Sequence, residues 1–437
     1  MMLIFEIFNN NRKIIFNLIL LNIIFVNYYL HNILIFEIKL QHLCYLLSCL
    51  ILLVFINFEK KFKYFISIIF LFFIIHTAFV ASFNIKNSLS IIILISSFCL
   101  VYENYFYLKK NIFLINSILF HIGIFFLITL FFLILFNEID LFKSIGYLTN
   151  FSCGGLRIND FYFVFRENSH VAIILTPLFF SIFQMKYSKT HMNILKLLYL
   201  FSIVFFFSLT MFIANFILVF LICIWKRSIL SSHKFFFILL FFVLAYPMIM
   251  NKACTPKIID FSYKNNIFKD QKSSNENGPL SLIPENDNQN DGKFVNISTF
   301  VYLYHIDLIT SSIKQKPFGY GFNNYEYLFI DNNNDLTNTL NDIYKKYVFT
   351  NYNDGASNLI KILGEFGIIS FLFCFFFLYF IFSNKFDPSY KILICSVLLI
   401  QFIRGAGYFN FNFLIYSCFL FILIFDKFFN IKHYKIR

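Results

Sequence analysis

The sequence predicts an all-α, polytopic integral membrane protein with about twelve transmembrane helices and one long extramembrane loop. Three observations lead there. Of 437 residues, 59% are hydrophobic and only 14% are charged, against roughly 25% charged in an ordinary soluble chain. The mean hydropathy is +0.72. Apolar runs of about 17–25 residues recur along the chain, the length a helix needs to cross a bilayer. Without water in the hydrocarbon core the backbone must satisfy its own polar groups, and a helix does so within one segment.

Apolar runs and their breaks place spans near 14–30, 43–58, 62–83, 88–108, 112–136 and 168–185. The stretch 194–225 is long enough for a hairpin of two short helices, broken around "SLT" at 208–210. Further spans follow near 235–250, 358–382, 390–403 and 408–425. The resulting organisation is 1–136, N-terminal transmembrane helices; 137–167, an outward loop; 168–250, central helices; 251–357, a long outward loop; and 358–437, C-terminal helices with a basic tail. Arg12 and Lys13 precede an apolar run with no small-residue cleavage site after it, which reads as a retained first helix.

The net charge of +13 is mostly a topology signal rather than a mark of nucleic-acid binding. With the N-terminus in the cytoplasm, that side collects Arg12, Lys13, the "EKKFK" turn at 59–63, Lys109, Lys110, Lys186, Lys189, Lys196, Lys226, Arg227, Lys234, Lys385, Lys391 and the tail "KHYKIR". The opposite short loops keep Lys39, Lys86, Lys143, Arg157, Arg166 and Arg404. The bias is roughly three to one and obeys the positive-inside rule. It holds along the whole chain only if 194–225 is a hairpin, and it puts both chain termini in the cytoplasm.

The nine cysteines show no metal-ligand or redox spacing. Buried thiols are the default reading, with a disulfide between the loop residues Cys153 and Cys254 as the alternative. No Asp-x-Asp or His cluster suggests a metal, and no cofactor is expected. The middle of the long loop, 269–293, is low-complexity; its second half, from "VNISTFVYLYHIDLIT" onward, regains helical apolar spacing and is expected to be ordered.

Three outward features carry candidate chemistry. Arg166, Glu167 and His170 in "RENSHVA" lie within one helical turn of one another at the mouth of a span. They read either as a functional cluster or as an interfacial helix start, with Glu167 on the N-terminal dipole and Arg166 snorkelling. "FIRGAGYFNF" (402–411) sets Arg404 between two spans beside two glycines. Arg157, Arg166 and Arg404 are the arginines outside the cytoplasmic sets. Arginine captures phosphate through a planar fork, so the three suggest a site for an anionic headgroup such as a lipid-linked diphosphate. Finally, "KPFGYGFNNYEYLF" (316–329) precedes "NYNDGASNLIKILGEFGIISFLF" (351–373). Tyr320, Tyr325 and Tyr327 either stack on sugar rings or pack the loop, and Lys361 and Glu365, four residues apart, read as a mutually neutralising pair.

At these residues the chain resembles the O-antigen polymerase and O-antigen ligase superfamily of bacterial envelope glycosyltransferases, most closely the Wzy-type polymerases. "RENSHVA" is similar to a Glu-x-Ser-His-x-Ala helix opening, "KPFGYGFNNYE" to the Pro-x-Gly-x-Gly of the long periplasmic loop, and "SNLIKILGEFGII" to a Leu-x-x-Leu-x-Glu-x-Gly-x-x-Gly helix start. The place of the ligase histidine holds Ala356, and that of the last glycine Ser370. The resemblance implies an inverting, metal-independent glycosyltransferase at the periplasmic face of the bacterial inner membrane. It would move an undecaprenyl-diphosphate-linked glycan onto a lipid-linked repeat unit, with membrane lipids and a chain-length regulator as further partners. Arg166 and Arg404, supported by Arg157, would stabilise the leaving diphosphate. His170 or Glu167, and after them Asp354, would take the acceptor proton. A ligase acting on lipid A core or protein is the alternative within enzymes; a lipid-linked oligosaccharide flippase is the alternative of another class. A transporter should line its path with charge, whereas the mid-span ionisable residues are few: Glu37, His76, Glu103, Lys361 and Glu365.

Overall fold

The computed structural model describes residues 2–30, 33–35, 38–55, 60–80, 85–137, 168–206, 208–250, 297–337, 348–349, 351–405 and 407–429. The regular elements of the described residues are helices apart from one small antiparallel ladder. In order they run α1 (Met2–Tyr29), β1 (Leu34–Ile35), β2 (Ile38–Lys39), α2 (Leu40–Phe55), α3 (Lys60–Val80), α4 (Ile85–Glu103), α5 (Tyr105–Asn137) and α6 (Asn168–Ile182). Next come α7 (Lys189–Phe205), α8 (Leu209–Trp225), α9 (Arg227–Ser232), α10 (Lys234–Met250), α11 (Ile297–Gln315) and α12 (Tyr325–Thr337). The chain closes with α13 (Asn358–Phe366), α14 (Ser370–Phe382), α15 (Pro388–Ile403) and α16 (Phe413–Phe429).

Among the described residues, 4 helical stretches are long and apolar enough to cross a membrane: Phe62–Val80, Ile85–Glu103, Tyr105–Phe132 and Asn358–Phe382. Shorter apolar helices cover Lys13–Tyr29, Leu40–Leu52, Ser169–Ile182, Thr210–Trp225, Lys234–Tyr246 and Pro388–Ile403. These helices mark a membrane-associated protein. Their outer faces carry Phe79, Phe125, Phe371 and Phe382 largely exposed, apolar surface that is costly in water and at home against lipid.

Local chemistry sets the helix ends. Ser188, Ser208, Ser357 and Asp387 each cap a following helix by accepting a backbone N–H into the side chain, and Pro388 occupies the first turn after Asp387. The 194–225 stretch accordingly breaks at 206–208 into α7 and α8. The boundary between the fourth and fifth spans differs from the sequence expectation: it falls at Asn104 rather than near 109–111. Asn104 turns its side-chain amide back onto the Leu100 carbonyl at 2.8 Å, which competes with helix continuation. Lys109 then lies inside α5, where Asp426 neutralises it at 3.1 Å.

Contacts sort the connections into two ends. At one end Asn27 and Gln41 bond Asn412 and Asn410, and Lys86 pairs with Glu326. At the other, Lys109 meets Asp426, Lys226 donates to Gln184, Tyr390 bonds the Lys109 carbonyl, and Lys391 lies over Trp225. The second half of the long loop joins the first end. There α11 and α12 pack with the start of α13 into a separate apolar cluster built around Tyr304, Leu308, Tyr325, Phe329 and Ile360.

Candidate functional site

The site grows from one fully buried carboxylate. Glu365 sits at the end of α13, 0% exposed. Its oxygens accept the Asn323 backbone N–H at 2.8 Å, the Tyr325 backbone N–H at 3.3 Å and the Tyr408 phenol at 2.9 Å. Lys361, one turn earlier, approaches to 3.9 Å. A buried charge persists only when paired and hydrogen-bonded, and Glu365 meets that demand from two distant stretches of chain.

Lys361 has a second and closer partner. Its ammonium donates to Asp354 Oδ1 at 2.9 Å and to the Asn353 carbonyl at 2.9 Å, and it faces the Tyr408 ring at 5.2 Å. The Lys361–Glu365 pair expected from sequence is therefore part of an Asp354–Lys361–Glu365 cluster, with the shorter contact to Asp354. The Lys361 side chain is 4% exposed and that of Asp354 35%, so the cluster is closed inside and reaches the surface through Asp354.

Glycines make the convergence possible. The 317–321 strip runs against the end of α13, with Tyr320 N–H donating to the Gly364 carbonyl, Gly321 N–H to the Glu365 carbonyl and Ile368 N–H to the Pro317 carbonyl. A Cβ on Gly319 would lie 2.4 Å from the Glu365 carbonyl oxygen, and one on Gly367 2.0 Å from that of Pro317. Both also hold positive φ, 79° and 52°, which side-chain-bearing residues rarely adopt. Gly407 plays the same part in the last turn, where a Cβ would meet Asp354 Oδ1 at 2.6 Å.

The N-terminal helices hold the strip from its other side. His76 bonds the Phe318 carbonyl at 2.9 Å, Thr77 accepts the Phe322 N–H, Asn87 donates to the Phe322 carbonyl and to Asn324, and Ser90 accepts from Asn323. Sequence reading flagged His76 and passed over Thr77, Asn87, Ser90, Asn323 and Tyr408. The available signal was polar residues recurring in otherwise apolar helices.

Of the residues nominated from sequence, Arg157, Arg166 and Glu167 lie outside the described residues. His170 is in the first turn of α6, 9% exposed, with its ring edge-on to Phe411 at 5.0 Å; it thus adjoins the 404–412 turn. Arg404 is the C-cap of α15 and opens that turn. Tyr320 and Tyr325 are buried, bonded through their hydroxyls to Asn332 and His305. Burial, reinforced by the Glu365 charge, pushes the Tyr325 phenol well above its ordinary value, and burial likewise raises Tyr320. Both stay neutral packing residues. Tyr327 is 43% exposed. His305 is fully buried among Tyr304, Tyr325 and Phe329.

The arrangement therefore offers a fixed, partly exposed carboxylate (Asp354), an imidazole (His170) on the neighbouring helix mouth, and Arg404 at the turn both elements border. Glu365 accepts from three donors, Asn323, Tyr325 and Tyr408, and so ties these elements together. No protein-family model, no curated protein and no solved structure matches the chain.

Proposed function

We propose that this protein is an envelope polysaccharide polymerase of the Wzy type, working on undecaprenyl-diphosphate-linked substrates at the periplasmic face of the inner membrane. The observation that carries the reading is the meeting of 316–326, 353–367 and 404–408 around Glu365, because those segments bear the motifs that resemble the family. His170, from the remaining motif, borders the same turn through Phe411.

In this reading the acceptor hydroxyl attacks the anomeric carbon of the donor glycan, and the bond from that carbon to the diphosphate breaks. The diphosphate leaves with its electron pair, stabilised by the guanidinium groups of Arg404, Arg166 and Arg157. His170, Glu167 or Asp354 receives the acceptor proton. Tyr327, 43% exposed, would stack on a sugar ring. The twelve-span topology, with both termini cytoplasmic, belongs to the same proposal. Ala356, where a ligase would carry histidine, favours polymer extension over transfer to a final acceptor.

Deleting the gene in its host and resolving the surface glycan by gel electrophoresis tests this. Loss of the ladder with retention of a core bearing one repeat unit is the expected result. Bare core would favour a ligase or flippase, and an unchanged ladder would overturn the proposal.

A further inference from the structure

A second set of side chains lies at the opposite end of the bundle. From His170 the chain follows α6, whose 15 residues cover about 22 Å at 1.5 Å per residue, before it turns through Tyr187 into α7. There His191, in the first turn of α7, faces His121 of α5, with their Nε2 atoms 3.4 Å apart. The two rings are inclined by 29° with centroids 5.5 Å apart. Both imidazoles are half-buried.

The Ser117 carbonyl oxygen, 2.6 Å from His121 Nδ1, can only accept, so Nδ1 carries a hydrogen and, in the neutral ring, Nε2 is left with a lone pair towards His191. Tyr187 braces the arrangement, stacking on His191 at 4.8 Å and bonding Ser117 through its hydroxyl. The 3.4 Å separation lies within hydrogen-bond reach, at its long end. It is the right span for two nitrogens on one ion: at about 2.05 Å from zinc and a tetrahedral angle, they lie about 3.3 Å apart. The same geometry puts the ring centroids about 5.2 Å apart, near the observed spacing. A histidine whose other nitrogen donates to a backbone carbonyl is also the usual state of a metal ligand.

We infer that His121 and His191 form a binding site for a divalent first-row transition metal, zinc(II) above all, which clamps α5 to the start of α7 at the end of the bundle away from the glycan site. Two imidazoles supply two ligands and water completes the set. Neither residue takes part in the proposed transfer, and the inference stands whether or not the polymerase reading does.

Zinc(II) titration of the full-length chain, purified in detergent with any affinity tag removed, tests it by calorimetry. One saturable site per chain is expected, weakened at least about tenfold by His121→Asn or His191→Asn, with the double variant little worse than either. X-ray absorption at the zinc edge of the unaltered protein, which does not depend on how the variants fold, should show about two imidazole nitrogens at about 2.0–2.1 Å. Absence of saturable binding, binding indifferent to both substitutions, or a spectrum without imidazole scattering would overturn the site.

Discussion

The Tyr408 phenol donates to the Glu365 carboxylate across 2.9 Å, tying the turn after α15 to the end of α13. From the other side Asn323 bonds the same carboxylate oxygen through its backbone N–H. One buried acid thus joins the long loop, a span and the last turn. Glu365→Ala should remove about 3–5 kcal/mol, the cost of leaving a buried network without its charge partner. Glu365→Gln should cost less, about 1–3 kcal/mol, because the amide oxygen still accepts. Thermal unfolding in mild detergent measures both, and an unshifted melting temperature for the alanine variant would dismiss Glu365 as a hub.

Lys361 stands between two carboxylates, so its loss should hurt more than its size suggests. Lys361→Met leaves Asp354 and Glu365 to repel each other. Adding Asp354→Asn should recover part of the loss, giving a coupling energy of about 1–3 kcal/mol in a double-mutant cycle. Strict additivity would mean that the 2.9 Å contact carries no stability.

Gly367→Ala should fail to accumulate as folded protein. The new methyl would meet the Pro317 carbonyl at 2.0 Å and the backbone would have to keep φ at 52°. Backbone on both sides leaves nothing flexible to move aside, and strain at such a position costs on the order of 1–3 kcal/mol before the clash is added. Fluorescence-detected size-exclusion chromatography reads the outcome, and a normal monodisperse peak would contradict it.

The two ends of the bundle can be told apart chemically. In a cysteine-free background, Lys86→Cys and Lys316→Cys should react with a membrane-impermeant maleimide from one side. Lys110→Cys and Lys385→Cys should react only from the other. The Lys86–Glu326 pair at 3.0 Å requires the first two to agree; labelling of positions 86 and 316 from opposite sides would break the topology.

Arg404 is the described arginine of the proposed diphosphate site. Arg404→Ala should leave the protein inserted yet lower polymer formation by about 10²–10³, the range for removing one stabilising donor. Arg404→Lys should rescue little, since a point charge lacks the planar fork. Tyr327→Ala should shorten chains or weaken substrate use, whereas Tyr320→Phe, which keeps the packing ring, should leave the glycan profile unchanged. Glycan ladders from complemented deletion strains report all of these.

Much of the local structure was legible in the chain. The apolar runs announced helices, the break around 208–210 announced the division of 194–225, and the two glycines after Arg404 marked a turn between two spans. Boundary errors arose where a side chain competes with its own helix, as Asn104 does. The nominated tyrosines show the limit better. Tyr320, Tyr325 and Tyr327 are equivalent in a sequence, and only packing against α11 and α13 separates two buried residues from one exposed.

Sequence alone determined the membrane character and the positions of most helices, because hydropathy and capping act within one turn or one span and leave their mark on neighbouring residues. Tertiary structure decided which polar groups meet. Asn323, Asp354, Lys361, Glu365 and Tyr408 come from three separate stretches; the i, i+4 spacing records the Lys361–Glu365 pair, but nothing in the linear order records their meeting with Asn323, Asp354 and Tyr408. The reason is energetic: a buried charge is tolerable only with its full set of partners, and those partners are assembled by helix packing.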